Sequence, residues 1–424
     1  DMALQLPSLD DPRLESYTME QRRQIIAQLR NQKADPNLMQ VEPCAITCRV
    51  AQSFVRIGHL DLFARRAQRQ SLKSQTRYDT STMQWKELEE MVWHACWREY
   101  KSEAYVPFIR NKDLPSAAKV FLEESATKIA TMVAHWIRVG FAQGNFNADN
   151  CLVGGVTMDY GPFGYLEEYS PLFAKWTGSG EHFAFMNQPS AGFTNYQVLV
   201  ESVVPVIAAA SPAALDEEDP AKALVDQFMT RAKDIFEGAV DQVFRQKMGF
   251  EADAEEADAL WQSLEPLMRQ TRVDWTLFWR RLTMIAAKYP DYGDETEDDY
   301  KSMLATLIED DSSPSSPFYE PLSAEHQQQY LQWIQEWRTM LGSLTEKQED
   351  IAESMRMTNP KYILREWMLV EAYKKAGEGD MEELERIYEL VQNPYEEGTP
   401  QQENAYFRRA PNEVLGKGGT AFMS

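Results

Sequence analysis

Residues 135–169 read HWIRVGFAQGNFNADNCLVGGVTMDYGPFGYLEEY. An amphipathic helix runs into a short polar loop, Asn145-Phe146-Asn147-Ala148-Asp149-Asn150. Two short apolar stretches follow, Cys151-Leu152-Val153 and Val156-Thr157-Met158, joined through Gly154-Gly155, and then Asp159-Tyr160-Gly161-Pro162. The pattern predicts a tight hairpin at the double glycine, which returns its two ends to one place. Asp149, Asn150 and Asp159 are then expected to converge. Hard oxygen ligands in that arrangement suit Mg²⁺, which takes one or two protein carboxylates and completes its shell with substrate phosphates. Taken singly, Asn147, Asp149 and Asn150 are turn formers and Asp159 is a strand terminator. The specific signal is the order of the set.

Protein kinases use the same local plan: a catalytic loop, a hairpin, then an Asp-x-Gly that holds the metal. The segment resembles more closely still the selenoprotein O family, kinase-like proteins that act as protein adenylyltransferases. That family carries a relative of His-Gly-x-x-Asn-x-Asp-Asn and then Asp-Tyr-Gly-Pro-[Phe/Tyr]-Gly-[Phe/Tyr]. Here the stretches are Gln143-Gly144-Asn145-Phe146-Asn147-Ala148-Asp149-Asn150 and Asp159-Tyr160-Gly161-Pro162-Phe163-Gly164-Tyr165. Arg49-Val50-Ala51-Gln52-Ser53-Phe54-Val55-Arg56-Ile57-Gly58 resembles the family's Arg-Val-Ala-Pro-Ser-x-x-Arg-x-Gly segment. Asn187-Gln188-Pro189, Asn359-Pro360-Lys361-Tyr362-Ile363-Leu364-Arg365 and Pro394-Tyr395 follow in the family's order. The resemblance runs from about residue 41 to near the end of the chain.

The resemblance implies a mostly α, α+β fold: a kinase-like C-lobe with a short catalytic-loop hairpin and a helical C-terminal extension. It divides the chain into a helical, polar leader at 1–40, the C-lobe at 41–210 and the extension at 211–424. It implies transfer of AMP from Mg²⁺-ATP to Ser, Thr or Tyr hydroxyls of a protein. Asp149 matches the family's base, Asn150 and Asp159 its magnesium ligands, and Arg49 and Arg56 its ATP-phosphate contacts. Residue type alone makes the two arginines surface residues, although a guanidinium matches phosphate oxygens bidentately.

Three departures stand out. Gln143 occupies the family's His position, so a charge is lost and a hydrogen-bonding group kept. The β-rich N-lobe with its anchoring Lys and partner Glu has no counterpart before Arg49, so inactivity of these residues alone is expected. The family's Ser-Cys-Ser-Ser tail, with Cys or selenocysteine, is replaced by Phe422-Met423-Ser424. Two other readings of the whole are a non-catalytic pseudokinase scaffold that binds partner proteins and a protein kinase that moves the γ-phosphate.

Composition narrows the field. The 424 residues carry a net charge of −23, which opposes nucleic-acid binding and attachment to anionic membranes. Runs such as Asp291–Asp311 read as solvated faces or loops. Cys44, Cys48, Cys96 and Cys151 form no zinc or disulfide framework, which fits a reducing, intracellular compartment; the resemblance is compatible with a mitochondrial one. Five histidines without a His/Cys cluster make a transition-metal site improbable. His59 reads as a structural or surface histidine.

Helical spacing predicts helices at Met19–Lys33, Met83–Tyr100, Ser116–Phe141 and Asp219–Gln246. Further helices are expected at Ala257–Arg272, Trp275–Lys288, Ala324–Leu341, Glu346–Met357, Tyr362–Ala376 and Met381–Gln392. Ala45–Val50 reads as a strand, and Val198–Leu215 as a buried helix and a loop.

Overall fold

Among the described residues, three long helices lead the chain to its polar loop: Ile57–Lys73 (α1), Met83–Glu99 (α2) and Leu114–Val139 (α3). The computed structural model describes residues 18–19, 21–22, 46, 48–158, 164–174, 181–210, 220–292, 294–310, 313–344 and 351–412. α3 starts where the sequence sets it up. Asp113 caps the Ser116 amide, and Pro115 occupies the first turn, where its missing N–H costs nothing. Its apolar face, from Phe121 through Ile129 and Val133 to Ile137, is buried. Gly140 ends it in the left-handed region at φ 77°, a conformation that glycine adopts without a steric penalty. A side chain there would also strike Trp275, with Cδ1 at 2.6 Å from a Cβ.

Phe141–Ala142 (β1) and Gly164–Tyr165 (β2) form a two-stranded antiparallel pair, Phe141 opposite Tyr165 and Ala142 opposite Gly164. Gln188–Ala209 (α4) and Pro220–Lys247 (α5) pack on α3. These helices enclose one apolar core with Trp85, Phe121, Phe146, Leu199 and Phe236 inside it.

The remaining helices are Asp258–Gln270 (α6), Trp275–Lys288 (α7), Glu297–Ile308 (α8), Ala324–Leu344 (α9), Ile351–Thr358 (α10), Glu366–Gly377 (α11), Glu382–Gln392 (α12) and Pro400–Tyr406 (α13). A second core, rich in tryptophan, forms around Trp275, Trp279, Trp333 and Trp337. Among the described residues the fold is therefore mostly helical, with one very small sheet. Among the described residues no helix is long and apolar enough to cross a membrane.

Residues 1–52 and 53–424 are two separate compact units. Most of the expected Met19–Lys33 helix lies outside the described residues; Met19, Gln21 and Arg22 are helical. Three expectations need correction, and a fourth, the reading of the acidic 291–311 run as a solvated face or loop, is refined. Ile46, Cys48, Arg49 and Val50 carry no strand, and the neighbouring positions 45 and 47 lie outside the described residues. Tyr362–Arg365 is not helical: the Lys361 and Tyr362 amides both donate to Pro394 O, at 2.7 and 3.2 Å. That bond holds the chain extended until Arg365 starts α11. The acidic stretch at 297–308 is a helix, stabilised by a capping box in which Thr296 and Asp299 bond each other's backbone amides.

The hairpin is the third correction. Gly154-Gly155 does make a tight turn, with the Gly155 amide on Leu152 O at 3.1 Å and φ 65°. Val156, Thr157 and Met158, however, form no strand. Cys151–Val153 pairs instead with the segment before α1. The Ile57 amide donates to Cys151 O at 3.0 Å and the Val153 amide to Val55 O at 3.1 Å.

Candidate active site

The polar loop is held from below by buried amide side chains. Gln188, fully buried at the start of α4, accepts from the Gln143 amide at 2.9 Å. It donates to Phe141 O at 2.8 Å and Phe185 O at 3.2 Å. Asn195, two turns further along on the same helix, donates to Phe146 O at 2.8 Å. Phe146 is buried edge-on against Trp136, with ring centroids 4.7 Å apart. Gln143 points inward, and its Oε1 accepts from the Asn145 amide at 3.0 Å. It thus braces the loop without carrying charge.

Above that base the loop organises itself. Asn147 Oδ1 accepts from the Asp149 amide at 2.9 Å, a side-chain mimic of a turn that starts the short 3₁₀ segment Ala148–Asn150. Asn150 Nδ2 donates to Asn145 O at 2.8 Å. With its donor engaged, the amide oxygen is the end of Asn150 left to ligate. Asp149 is exposed.

Arg56 comes to this loop from far away in sequence. It bridges Leu152 across the backbone pairing, and its Nη1 donates to Asp149 O at 3.2 Å. Its Nε is buried and has no hydrogen-bond partner, an arrangement that leaves desolvated donor capacity beside the loop. Gly58 lies in the first turn of α1, and a Cβ there would collide with Asp149 Oδ1. The carboxylate therefore packs against the N-terminal turn of α1. His59 Nδ1 accepts from the Arg56 amide at 3.1 Å. Burial and the Arg56 charge lower the His59 pKa, and Asp149 opposes them, so His59 is a neutral cap of α1 near pH 7.

Arg56, Asp149 and Asn150 are thus brought together. Arg49 is exposed and belongs to the first compact unit, residues 1–52. Asp159 lies outside the described residues. Among the described residues no group of three His, Cys, Asp or Glu side chains converges on a metal position. One carboxylate, one amide oxygen and a spare guanidinium donor nevertheless match the demands of a metal-bound polyphosphate, which supplies most of the Mg²⁺ ligands itself.

Gln188 and Asn195 escape a reading for chemistry because they act on backbone carbonyls. Gln188 sits inside the Asn187-Gln188-Pro189 stretch noted above; Asn195 carries no comparable signal. Gly58 is legible only as part of the Arg49–Gly58 segment.

Residues 28–392 match the family described as "Protein adenylyltransferase SelO". The chain is 27% identical over 387 residues to a protein nucleotidyltransferase YdiU of Flavobacterium johnsoniae, covering 90% of this chain and 64% of that protein. A protein nucleotidyltransferase YdiU of Xanthomonas euvesicatoria is 26% identical over 394 residues, 91% of this chain and 64% of its own length. One from Vibrio vulnificus is 28% identical over 359 residues, 84% and 61% respectively.

Proposed function

The chain belongs to the SelO family of protein adenylyltransferases, and on that premise we propose that its loop at Asn145–Asn150 serves transfer of AMP from Mg²⁺-ATP to protein hydroxyls. The chain spans 64% of the length of the first two relatives, so the proposal concerns the complete protein. The observation that carries it is the meeting of Arg56 with the Asp149 loop across 93 positions of sequence.

Within this reading the segment from α3 through β1, the loop and β2 is a kinase-like catalytic lobe. Asp149 accepts the proton of the attacking hydroxyl, whose oxygen bonds to the α-phosphorus while the bond to pyrophosphate breaks. Arg56 binds phosphate oxygens and offsets the charge that develops on the leaving group; the same role for Arg49 rests on the motif resemblance alone. Asn150 and Asp159 would hold Mg²⁺, which when bound supplies Lewis-acid neutralisation of the phosphates.

Two labels test the reaction. With the complete protein, radiolabel on the α-phosphate of ATP is expected on protein and label on the γ-phosphate is not. The reverse result makes the protein a kinase. Mg²⁺-ATP binding without either transfer supports a scaffold.

A further inference from the structure

We propose that Arg365 is a positioning residue that locks the outgoing leg of the loop, residues 164–169, onto the helical body through Glu167 and Asp274. The leg is held on two sides. Towards the loop, the Leu166 amide donates to Gly140 O at 2.8 Å, extending the β1–β2 pair. Away from it, the Tyr169 amide donates to Val273 O at 2.6 Å and the Trp275 amide to Glu167 O at 3.0 Å. Arg365 fastens this second side. Its guanidinium takes Asp274 bidentately, at 2.8 and 2.9 Å, and Nη1 also reaches Glu167 Oε2. Asp274 is fully buried and caps α7 through the Leu277 amide at 3.0 Å. Arg365 in turn ends the run that begins at Asn359 and is pinned to Pro394. One fork of nitrogen atoms therefore ties the leg that leaves Asp159 to the C-terminal helices.

The cluster holds two carboxylates and one guanidinium, so it carries an uncompensated negative charge when both acids are ionised. Glu167 Oε1 is buried with no hydrogen-bond partner. Burial, opposed by Arg365 and reinforced by Asp274, pushes the Glu167 carboxyl up to about 7. The other groups facing the cluster are the Tyr319 hydroxyl, 3.4 Å from Asp274 Oδ2, and the Glu366 backbone amide. Glu168, next along the leg, is paired separately with Arg272. A raised carboxyl pKa means that Glu167 contributes stability fully below its unfolded value of 4.5. That contribution is lost as pH rises through the folded value. The lock is tightest with Glu167 neutral.

Hydrogen exchange and turnover in the complete protein test this, the turnover arm resting on the adenylyltransferase reading. Arg365→Lys keeps the charge and loses the fork. It is expected to raise exchange at 164–170 by about tenfold relative to the α3–α5 core, and to lower the kcat of AMP transfer by about tenfold. Glu167→Gln mimics the neutral acid. It is expected to keep 164–170 protected and to abolish the loosening that the wild type shows between about pH 6 and 8, after correction for intrinsic exchange. Unchanged protection in Arg365→Lys, or a uniform rise over the whole chain, overturns the proposal. Should Arg365→Lys fail to fold, a wild-type pH dependence that survives in Glu167→Gln overturns it alone. If the wild type transfers no AMP, the functional reading fails while the exchange measurements still decide the lock.

Discussion

The loop at Asp149 and the hub at Asn359 are both built from polar side chains, and they treat them in opposite ways. In the hub the cations and Asn359 are buried and most of their donors are spent, although the Arg280 Nε has no partner and Glu397 reaches in from the surface. Lys247 Nζ donates to Arg138 O at 2.8 Å and to Asn359 Oδ1 at 2.9 Å, with Trp279 under it at 4.6 Å. Asn359 returns a bond to Lys247 O at 3.0 Å. Arg280 caps Asn359 O at 3.1 Å, and Lys361 binds Glu397 at 2.9 Å. In the loop, the backbone and the amide side chains in and beneath it are spent, and the Asp149 carboxylate is left at the surface. Asp149 is exposed, and the Arg56 Nε is unpaired. Buried polar networks confer rigidity when satisfied; a reactive site needs unspent valences at its surface. The two regions should therefore fail differently: loop variants in activity, hub variants in stability.

The largest effect is expected at Asp149. Asp149→Asn removes the proton acceptor and keeps the volume, so AMP transfer by the complete protein should fall by about 100-fold or more. Its melting temperature should scarcely move, because an exposed substitution changes stability by about 0.5 kcal/mol or less. A large loss of stability with unchanged specific activity would erase the contrast between the regions.

Lys247→Met is the reverse case. It leaves Arg138 O and Asn359 Oδ1 without their donor, a loss of about 2 kcal/mol, with activity per folded molecule retained. Burial, and then the Arg138 charge, hold the Lys247 pKa well below its ordinary value. A depressed pKa means that its contribution is complete above the unfolded value of 10.5, and is lost as pH falls through the folded value. Denaturant titrations should accordingly show wild-type stability gaining on the variant between about pH 8 and 10. Parallel pH curves would mean that the ammonium is not desolvated.

How far this contrast was legible in the sequence depends on the range of the contacts. Helices such as Trp275–Lys288 follow from local apolar spacing and occur at the expected residues. Asp149 and Asn150 are adjacent, so their sharing of one loop was legible too. The meeting of Arg56 with Asp149 spans 93 positions, and no spacing rule predicts it. The hairpin reading failed for a related reason. Cys151–Val153 had the composition of a strand, but its partner was Val55–Ile57 and not the next apolar stretch. Likewise Tyr362–Arg365 has helical composition, and a distant carbonyl, Pro394 O, overrides it. The Asn359–Arg365 run was recognisable as a signature, while its role as a buried polar hub required the helices that surround it.

A smaller change sharpens the boundary at Gly58. Gly58→Ala places a methyl where Asp149 Oδ1 now lies. The exposed carboxylate can swing aside, so the cost in stability should be about 1 kcal/mol or less. The displaced base should nonetheless lower AMP transfer by about tenfold, since reaction geometry is sensitive to shifts of an ångström. Unaltered kcat would indicate that Asp149 works from a different rotamer.

The smallest effect is expected at Gln143, which belongs to the loop by position and to the hub by behaviour. It is 5% exposed, its amide is taken by Gln188, and its Oε1 takes the Asn145 amide. Nothing in that arrangement needs a charge. A neutral imidazole can accept the same bond through a ring nitrogen, so Gln143→His should keep the loop in place. Turnover near pH 8 is expected to change by about threefold or less. Protonation turns both ring nitrogens into donors and removes the acceptor that Asn145 uses. The variant should therefore acquire a loss of activity towards acid pH that the wild type lacks. A pH–rate profile for both proteins checks this. A profile unchanged by the substitution would show that the Asn145 bond does not position the loop, and Gln143 would then be an ordinary part of the core.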